Sequence, residues 1–299
     1  MCKINLLLII MSYLKIFFLM LCMILVSCTG QKTGKENDNN DKIAIEVGEI
    51  KFPPQDVLQL KSYYLSSSVH VDSIDYLIGY NYRLHSLDCM NLKSKSVTQI
   101  VLPGDGPDAI VRLSGIYAQS LDSVWISDES ERAFLIDSVG TIKRMIDLKK
   151  YLEDQEQLLI NTNYAMFTSH LFYNASRHSL MFLVKHTPSN TFIVKEVFID
   201  EVGKMATYQL SSSKVVPDMS KGYAYINFPN VNFVGENIVY NYPVESSIYM
   251  LDIRTNERKY ILADSHYTSN IIEKCTTSGD YATLEKHWLC LLYTSPSPR

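Results

Sequence analysis

The chain has 299 residues, 46 % of them apolar, 20 tyrosines and a formal net charge of −4. Its charge shows no basic patch interleaved with aromatics, which excludes a nucleic-acid-binding reading. About 260 residues remain once the two ends are set aside, enough to bury roughly three quarters of the unfolded surface as one array.

The first residues, MCKINLLLIIMSYLKIFFLMLCMILVSC, read as a targeting segment. Lys15 supplies positive charge, and Ile16–Val26 is an apolar run of eleven residues, right for a signal peptide and short for a membrane span. Leu25-Val26-Ser27-Cys28 follows. This resembles a bacterial lipobox, and the resemblance implies a signal peptide over residues 1–27 and a Cys28 that carries acyl chains such as palmitate. An uncleaved signal anchor is the alternative, and Met11 is an alternative start. Thr29–Asp41 holds no aliphatic or aromatic residue, so residues 28–41 are expected to form a flexible tether.

The array itself is predicted over residues 42–289. Lys42–Val47, KIAIEV, alternates like a strand, of the kind that closes a propeller ring. Pro53–Leu60 reads as a short helix or turn. Strand-turn-strand patterns then recur, in blades over about 62–102, 110–148, 166–210 and 228–262, with an incomplete fifth over 267–287. PGDGPD links the first two and predicts a tight turn with positive φ at Gly104 and Gly106. KKYLEDQEQLLI, 149–160, has helical spacing and predicts a helix or lid. Continuous apolar runs such as Leu180–Val184 should be buried on both faces.

The repeat is anchored on hairpins of similar wording: LDCMNLKSKSVTQIVL, IDSVGTIKRMIDL, IDEVGKMATYQL and LDIRTNERKYIL. Their aspartates, Asp88, Asp137, Asp200 and Asp252, stand 49, 63 and 52 residues apart. Four strands at a period of roughly 40–50 residues is what propeller blades look like in sequence. The fold class is therefore all-β, a β-propeller with about four and a half blades, the aspartates being expected at equivalent places.

GDGPDAIVRLSGIYAQSLDSVWISDESERAFLIDSVGTI, Gly104–Ile142, resembles the early blades of Bacteroidota six-bladed β-propeller lipoproteins of unknown function, the DUF4221-like group. So does NIVYNYPVESSIYMLD, with its Tyr-Pro before an Ile-Tyr strand. The resemblance implies six blades and supplies no catalytic residue. Cys290–Arg299, CLLYTSPSPR, follows no strand period and resembles translated sequencing-adapter sequence. The expectation is a natural chain that continues past Leu289 with other residues, and a fragment that is poorly soluble or oligomeric as it stands.

Chemistry is sparse. Of six cysteines, only Cys89 and Cys275 lie within the blades, and no metal-ligand spacing joins Cys to His. No metal and no cofactor is expected. Arg112, His170 and Asn232 fall on first strands, which line a propeller axis, and are weak candidates for ligand binding. A sugar-lactone hydrolase would need a Glu/Asp/Asn metal set there instead. Asp72-Ser73-Ile74, Asp122-Ser123-Val124 and Asp137-Ser138-Val139 resemble Bacteroidota O-glycosylation sites at Ser73, Ser123 and Ser138. The reading is an exported, lipid-anchored binding or scaffold module in the cell envelope, at the outer membrane, with a protein or glycan ligand. A propeller hydrolase or lyase is the alternative, and a sensor for a signalling partner is a third class.

Overall fold

The computed structural model describes residues 48–52, 63, 65–159, 171–214, 228–264 and 270–271. Contacts divide the chain into Met1–Glu49 and Ile50–Arg299. Of the first unit only Gly48 and Glu49 are described, and they carry no regular structure. Cys28, the tether, the strand at 42–47, the segment 53–60, His170 and most of 267–287 lie outside the described residues.

The second unit is built from four antiparallel sheets, each a meander in sequence order. Blade one holds β1 (Ser66–Val71), β2 (Ile74–Asn81), β3 (Ser86–Asn91) and β4 (Val97–Val101). Blade two holds β5 (Leu113–Ser120), β6 (Ser123–Asp128), β7 (Arg132–Ile136) and β8 (Ile142–Asp147). Blade three holds β9 (Glu156–Leu158), β10 (Leu171–Asn174), β11 (Ser179–His186), β12 (Thr191–Phe198) and β13 (Met205–Gln209). Blade four holds β14 (Asn230–Val234), β15 (Asn237–Asn241), β16 (Ser247–Asp252) and β17 (Arg258–Leu262).

A blade of this kind has no core of its own. Side chains alternate across a strand, so Val124 and Ile126 of β6 face one way and Trp125 the other. The first pair joins Ile78, Leu87 and Ile100 in a core between blades one and two. Trp125 joins Tyr173, Leu180 and Phe182 between blades two and three. Met181 and Leu183 then join Val231, Tyr240 and Tyr249 between blades three and four. Leu180–Val184 is buried on both faces, as its apolar run predicts. The first strands also touch through an aromatic chain: Tyr117 meets Phe172 edge-on at 5.0 Å, and Phe172 stacks on Phe233 at 4.5 Å. Radially packed four-stranded meanders with shared cores make a β-propeller.

Polar ties reinforce each junction. The Ser67 hydroxyl accepts from the Ala118 N–H at 3.0 Å. Arg144 reaches Ile199 O and Asp200 of blade three. Ser176 meets Glu236 of blade four at 2.5 Å, and Arg258 donates back to Gln209 O and Ser211. Within blade three, Glu196 is fully buried and saturated by Arg177, Ser179 and Tyr208. Burial, and then that carboxylate, drives the Tyr208 phenol up.

Three sequence expectations need correction. The described residues of 149–160 form no α-helix. A 3-10 turn, Leu148–Tyr151, leads into β9, which pairs antiparallel with the second half of β11: Leu158 faces Val184 and Glu156 faces His186. β10 pairs with the first half, Leu171 facing Phe182. The inner strand of blade three is thus two pieces on one partner. Burial of Leu158 and Leu159 and the pairing of Lys195 with Glu156 outweigh a local helical preference. Lys195 is fully buried, 2.5 Å from Glu156 and 2.8 Å from Tyr151 O.

Asp88 is not in a turn. It lies inside β3, completely buried, and takes hydrogen bonds from Tyr63, Asn81 and Gln99 at 2.5, 3.0 and 2.7 Å. Asn91 holds the turn place in blade one. Its side chain accepts from Lys93 N and Ser94 N, as that of Asp252 accepts from Arg254 N and Thr255 N. What all four turns share is backbone: a left-handed residue just before the outer strand, namely Lys95, Gly140, Gly203 and Asn256. Asp137 and Asp200 do lie in these turns and Asp252 ends β16 at the start of its turn, although Asp200 turns outward to His178 and Arg144.

Finally, Gly106 has φ +90° while Gly104 is not left-handed. The PGDGPD linker is a tight connection nonetheless, closed by Ala109 N to Gly106 O and Ile110 N to Pro103 O.

Candidate functional site

Antiparallel meanders send the turn after the second strand and the connection to the next blade out of the same end. At that end of blade one, an open depression of about 470 Å³ is lined by Tyr80, Tyr82, His85 and Arg112. Three of the four come from the end of β2 and the turn after it, Asn81-Tyr82-Arg83-Leu84-His85. The fourth stands one residue before β5.

Asn81 sets the turn. Its side-chain carbonyl accepts from Arg83 N and Leu84 N, at 3.2 and 3.3 Å, and its amide donates to the buried Asp88. His85 then takes a left-handed φ of +49°, and its carbonyl accepts from Leu102 N at 3.0 Å, bringing the inter-blade connection alongside. Tyr80 is buried and meets His85 Nδ1 through its hydroxyl at 3.1 Å. The other ring nitrogen, Nε2, is shut from water and has no partner. Tyr82 is exposed.

Arg112 comes from the far side of the connection. Its carbonyl accepts from Glu129 N at 2.9 Å, and its Nε lies 3.6 Å from the Glu129 carboxylate. Beside it, Asp128 is fully buried and accepts from Ser130 N and Arg132 N. Arg132 bonds both Asp128 and Ala109 O, at 2.6 and 2.7 Å, and so clamps the linker to blade two. The lining thus offers one permanent cation, one imidazole and two phenols, and among the described residues no acid. It can bind acceptor-rich or anionic groups and one aromatic or sugar ring.

Arg112 is the sequence candidate that the structure brings into this site. Asn232 is exposed on β14 and does not line it. Tyr80, Tyr82 and His85 escape sequence reasoning because they belong to the blade before Arg112. The aromatic residues of NYRLH, framed by a turn-forming Asn, were the available signal. Ser73 lies in the β1–β2 turn with φ +63°, Ser123 opens β6, and Ser138 donates to Asp122 at 2.8 Å. Cys89 is buried; that burial, with Asp88 adjacent, pushes its thiol up to about 11, which leaves it unreactive. Among the described residues no group of three or more His, Cys, Asp or Glu is placed to hold a metal ion.

No family model and no curated protein matches the sequence. Solved structures do. A DUF4221 family member from Bacteroides vulgatus superimposes with a TM-score of 0.52 at 14 % identity, over 74 % of this chain and 63 % of that one. The chain has the fold of a DUF4221 protein. It spans less than two thirds of that relative's length. The β-propeller domain of Cps50 (Swd1) from Myceliophthora thermophila matches at TM-score 0.35 and 11 % identity, over 69 % of this chain and 56 % of that one. BamB from Moraxella catarrhalis matches at 0.34 and 9 %, over 64 % and 50 %. The DUF4221-like likeness of Gly104–Ile142 and Asn237–Asp252 in sequence thus has a counterpart in the fold, where these segments are blade two and part of blade four.

Proposed function

We propose that this chain is a lipid-anchored, exported binding module, held in the cell envelope, at the outer membrane, through Cys28, and taking its protein or glycan ligand in the depression between blades one and two. One observation carries the binding half: the aromatic and cationic side chains of two successive blades converge on an open hollow whose volume lies in the range of small-molecule sites, roughly 300–1,000 Å³. The anchor rests on Leu25-Val26-Ser27-Cys28 and the apolar run before it.

The test has two readouts on the full chain. Cys28→Ala should move the protein out of the detergent phase; an unchanged membrane fraction refutes the anchor. A thermal-shift screen of small metabolites and oligosaccharides should give saturable stabilisation that Tyr82→Ala and Arg112→Gln abolish. Stabilisation that both variants retain puts the ligand elsewhere, and turnover of a stabilising compound moves the reading to a hydrolase or lyase.

A further inference from the structure

We propose, resting on the reading that the depression between blades one and two binds a ligand, that Tyr63 is a positioning residue for it. Acting through the buried Asp88 and Asn81, Tyr63 holds the turn that carries Tyr82 and His85. The path runs through the blade. Ile78, Tyr80 and Leu87 face blade two, and alternation puts Gly79, Asn81 and Asp88 on the opposite face. Gly79 and Asp88 stand directly across from each other on β2 and β3. The ring of Tyr63 lies on Gly79: a Cβ there would stand 2.3 Å from two of its carbons. From that seat the Tyr63 hydroxyl donates to Asp88 Oδ2 at 2.5 Å.

Asp88 turns this contact into an orientation. It is completely buried, and three donors converge on it, Tyr63 and Asn81 on Oδ2 and Gln99 on Oδ1. A group that accepts on both oxygens takes the NH2 side of the Asn81 amide, so the Asn81 carbonyl points the other way. There it accepts from Arg83 N and Leu84 N and closes the turn. The turn delivers Tyr82 and His85 to the hollow, and His85 O takes Leu102 N of the inter-blade connection. Deleting the Tyr63 donor takes one partner from a buried acceptor, and the cost falls on the group that orients Asn81. Linkage makes the coupling mutual: whatever steadies the turn also steadies Tyr63 on its seat.

Amide exchange read by mass spectrometry, on the full chain in detergent micelles, needs no ligand and so tests the coupling apart from the binding reading. The reporters are peptides over 81–85 and over Leu102. The controls are 70–75, at the other end of blade one, and 241–246, the matching turn of blade four. Tyr63→Phe keeps the ring and deletes the donor. Gly79→Ala drives the ring off its seat and alters no hydrogen-bonding side chain. Asp88→Asn brings a donor of its own and lets the Asn81 amide flip. Each should speed exchange at both reporters about tenfold, the factor carried by a hydrogen bond to a charged group, with both controls unchanged. Tyr63→Phe, the mildest change, decides if the other two fail to fold. Equal speeding at 70–75 means that the variants merely loosen blade one, and overturns the positioning role. Unchanged reporters overturn it outright, and reporters that answer to Asp88→Asn alone remove Tyr63 from it. A coupling that holds while no compound stabilises the protein in the thermal-shift screen leaves the turn under Tyr63 and refutes the binding reading instead.

Discussion

Single side chains in this protein hold turns, and Asp137 shows how. Its carboxylate accepts from Val139 N and Thr141 N, at 3.1 and 2.8 Å, and pairs with Lys143 at 2.7 Å. The Lys143 hydrogen bond leads in lowering its pKa from 3.8 to about 2, with the two backbone donors assisting against burial. A carboxyl depressed on folding stabilises the native state fully above its unfolded value and loses that contribution as pH falls through its folded one. Asp137→Asn should therefore lower the urea midpoint at pH 5, and the gap from wild type should narrow steadily toward pH 2. A gap that stays constant over that window would mean that the charge of Asp137 contributes nothing.

The same turn explains one failure of sequence reasoning. The hairpins share an aspartate in sequence, yet the place is defined by φ, and Lys95, Gly140, Gly203 and Asn256 satisfy it with three residue types. Side-chain identity is a loose proxy for a backbone requirement, and in blade one the aspartate of the pattern, Asp88, stands three residues before Asn91, which holds the turn.

At the scale of elements, alternation and turn residues made sixteen of the strands legible as hairpins, with blade limits close to those observed. β9 was not legible. Its partner β11 lies more than twenty residues on, and nothing local in KKYLEDQEQLLI records that edge. The buried Lys195 holds this segment, bonding Glu156 and Tyr151 O from the next strand but one. Removing one member of a buried ion pair strands the other, at a cost of about 3–5 kcal/mol. Lys195→Ala should thus destabilise by about that much in urea melts, whereas Lys195→Met combined with Glu156→Leu should recover most of the loss. A double variant as unstable as the single one would show that the charges do more than neutralise each other. The candidate site was legible only in Arg112, since a hollow between blades needs a spatial neighbour that no periodicity names.

For the molecule as a whole, stability resides at the junctions. Among the described residues β6, β7, β11 and β12 feed a core on both faces; the outer strands β4, β8, β13 and β17 have mostly half-buried or exposed side chains. Amide exchange follows such differences, because local opening is cheapest where little is packed. Deuterium uptake followed by mass spectrometry should be slowest over 179–184 and faster over 258–262. Equal protection of the two would deny that the shared cores govern opening.

Those shared cores also constrain inheritance. Trp125 stacks on Tyr173, and Phe172 lies between Tyr117 and Phe233, so the residues that must fit one another stand 48, 55 and 61 positions apart rather than within one hairpin. A substitution that shrinks Trp125 leaves a void that only the following blade can fill. Lineages descended from this sequence should therefore carry compensating changes in pairs, each spaced by about one repeat, and a blade transplanted alone from one lineage to another should arrive with two mismatched faces.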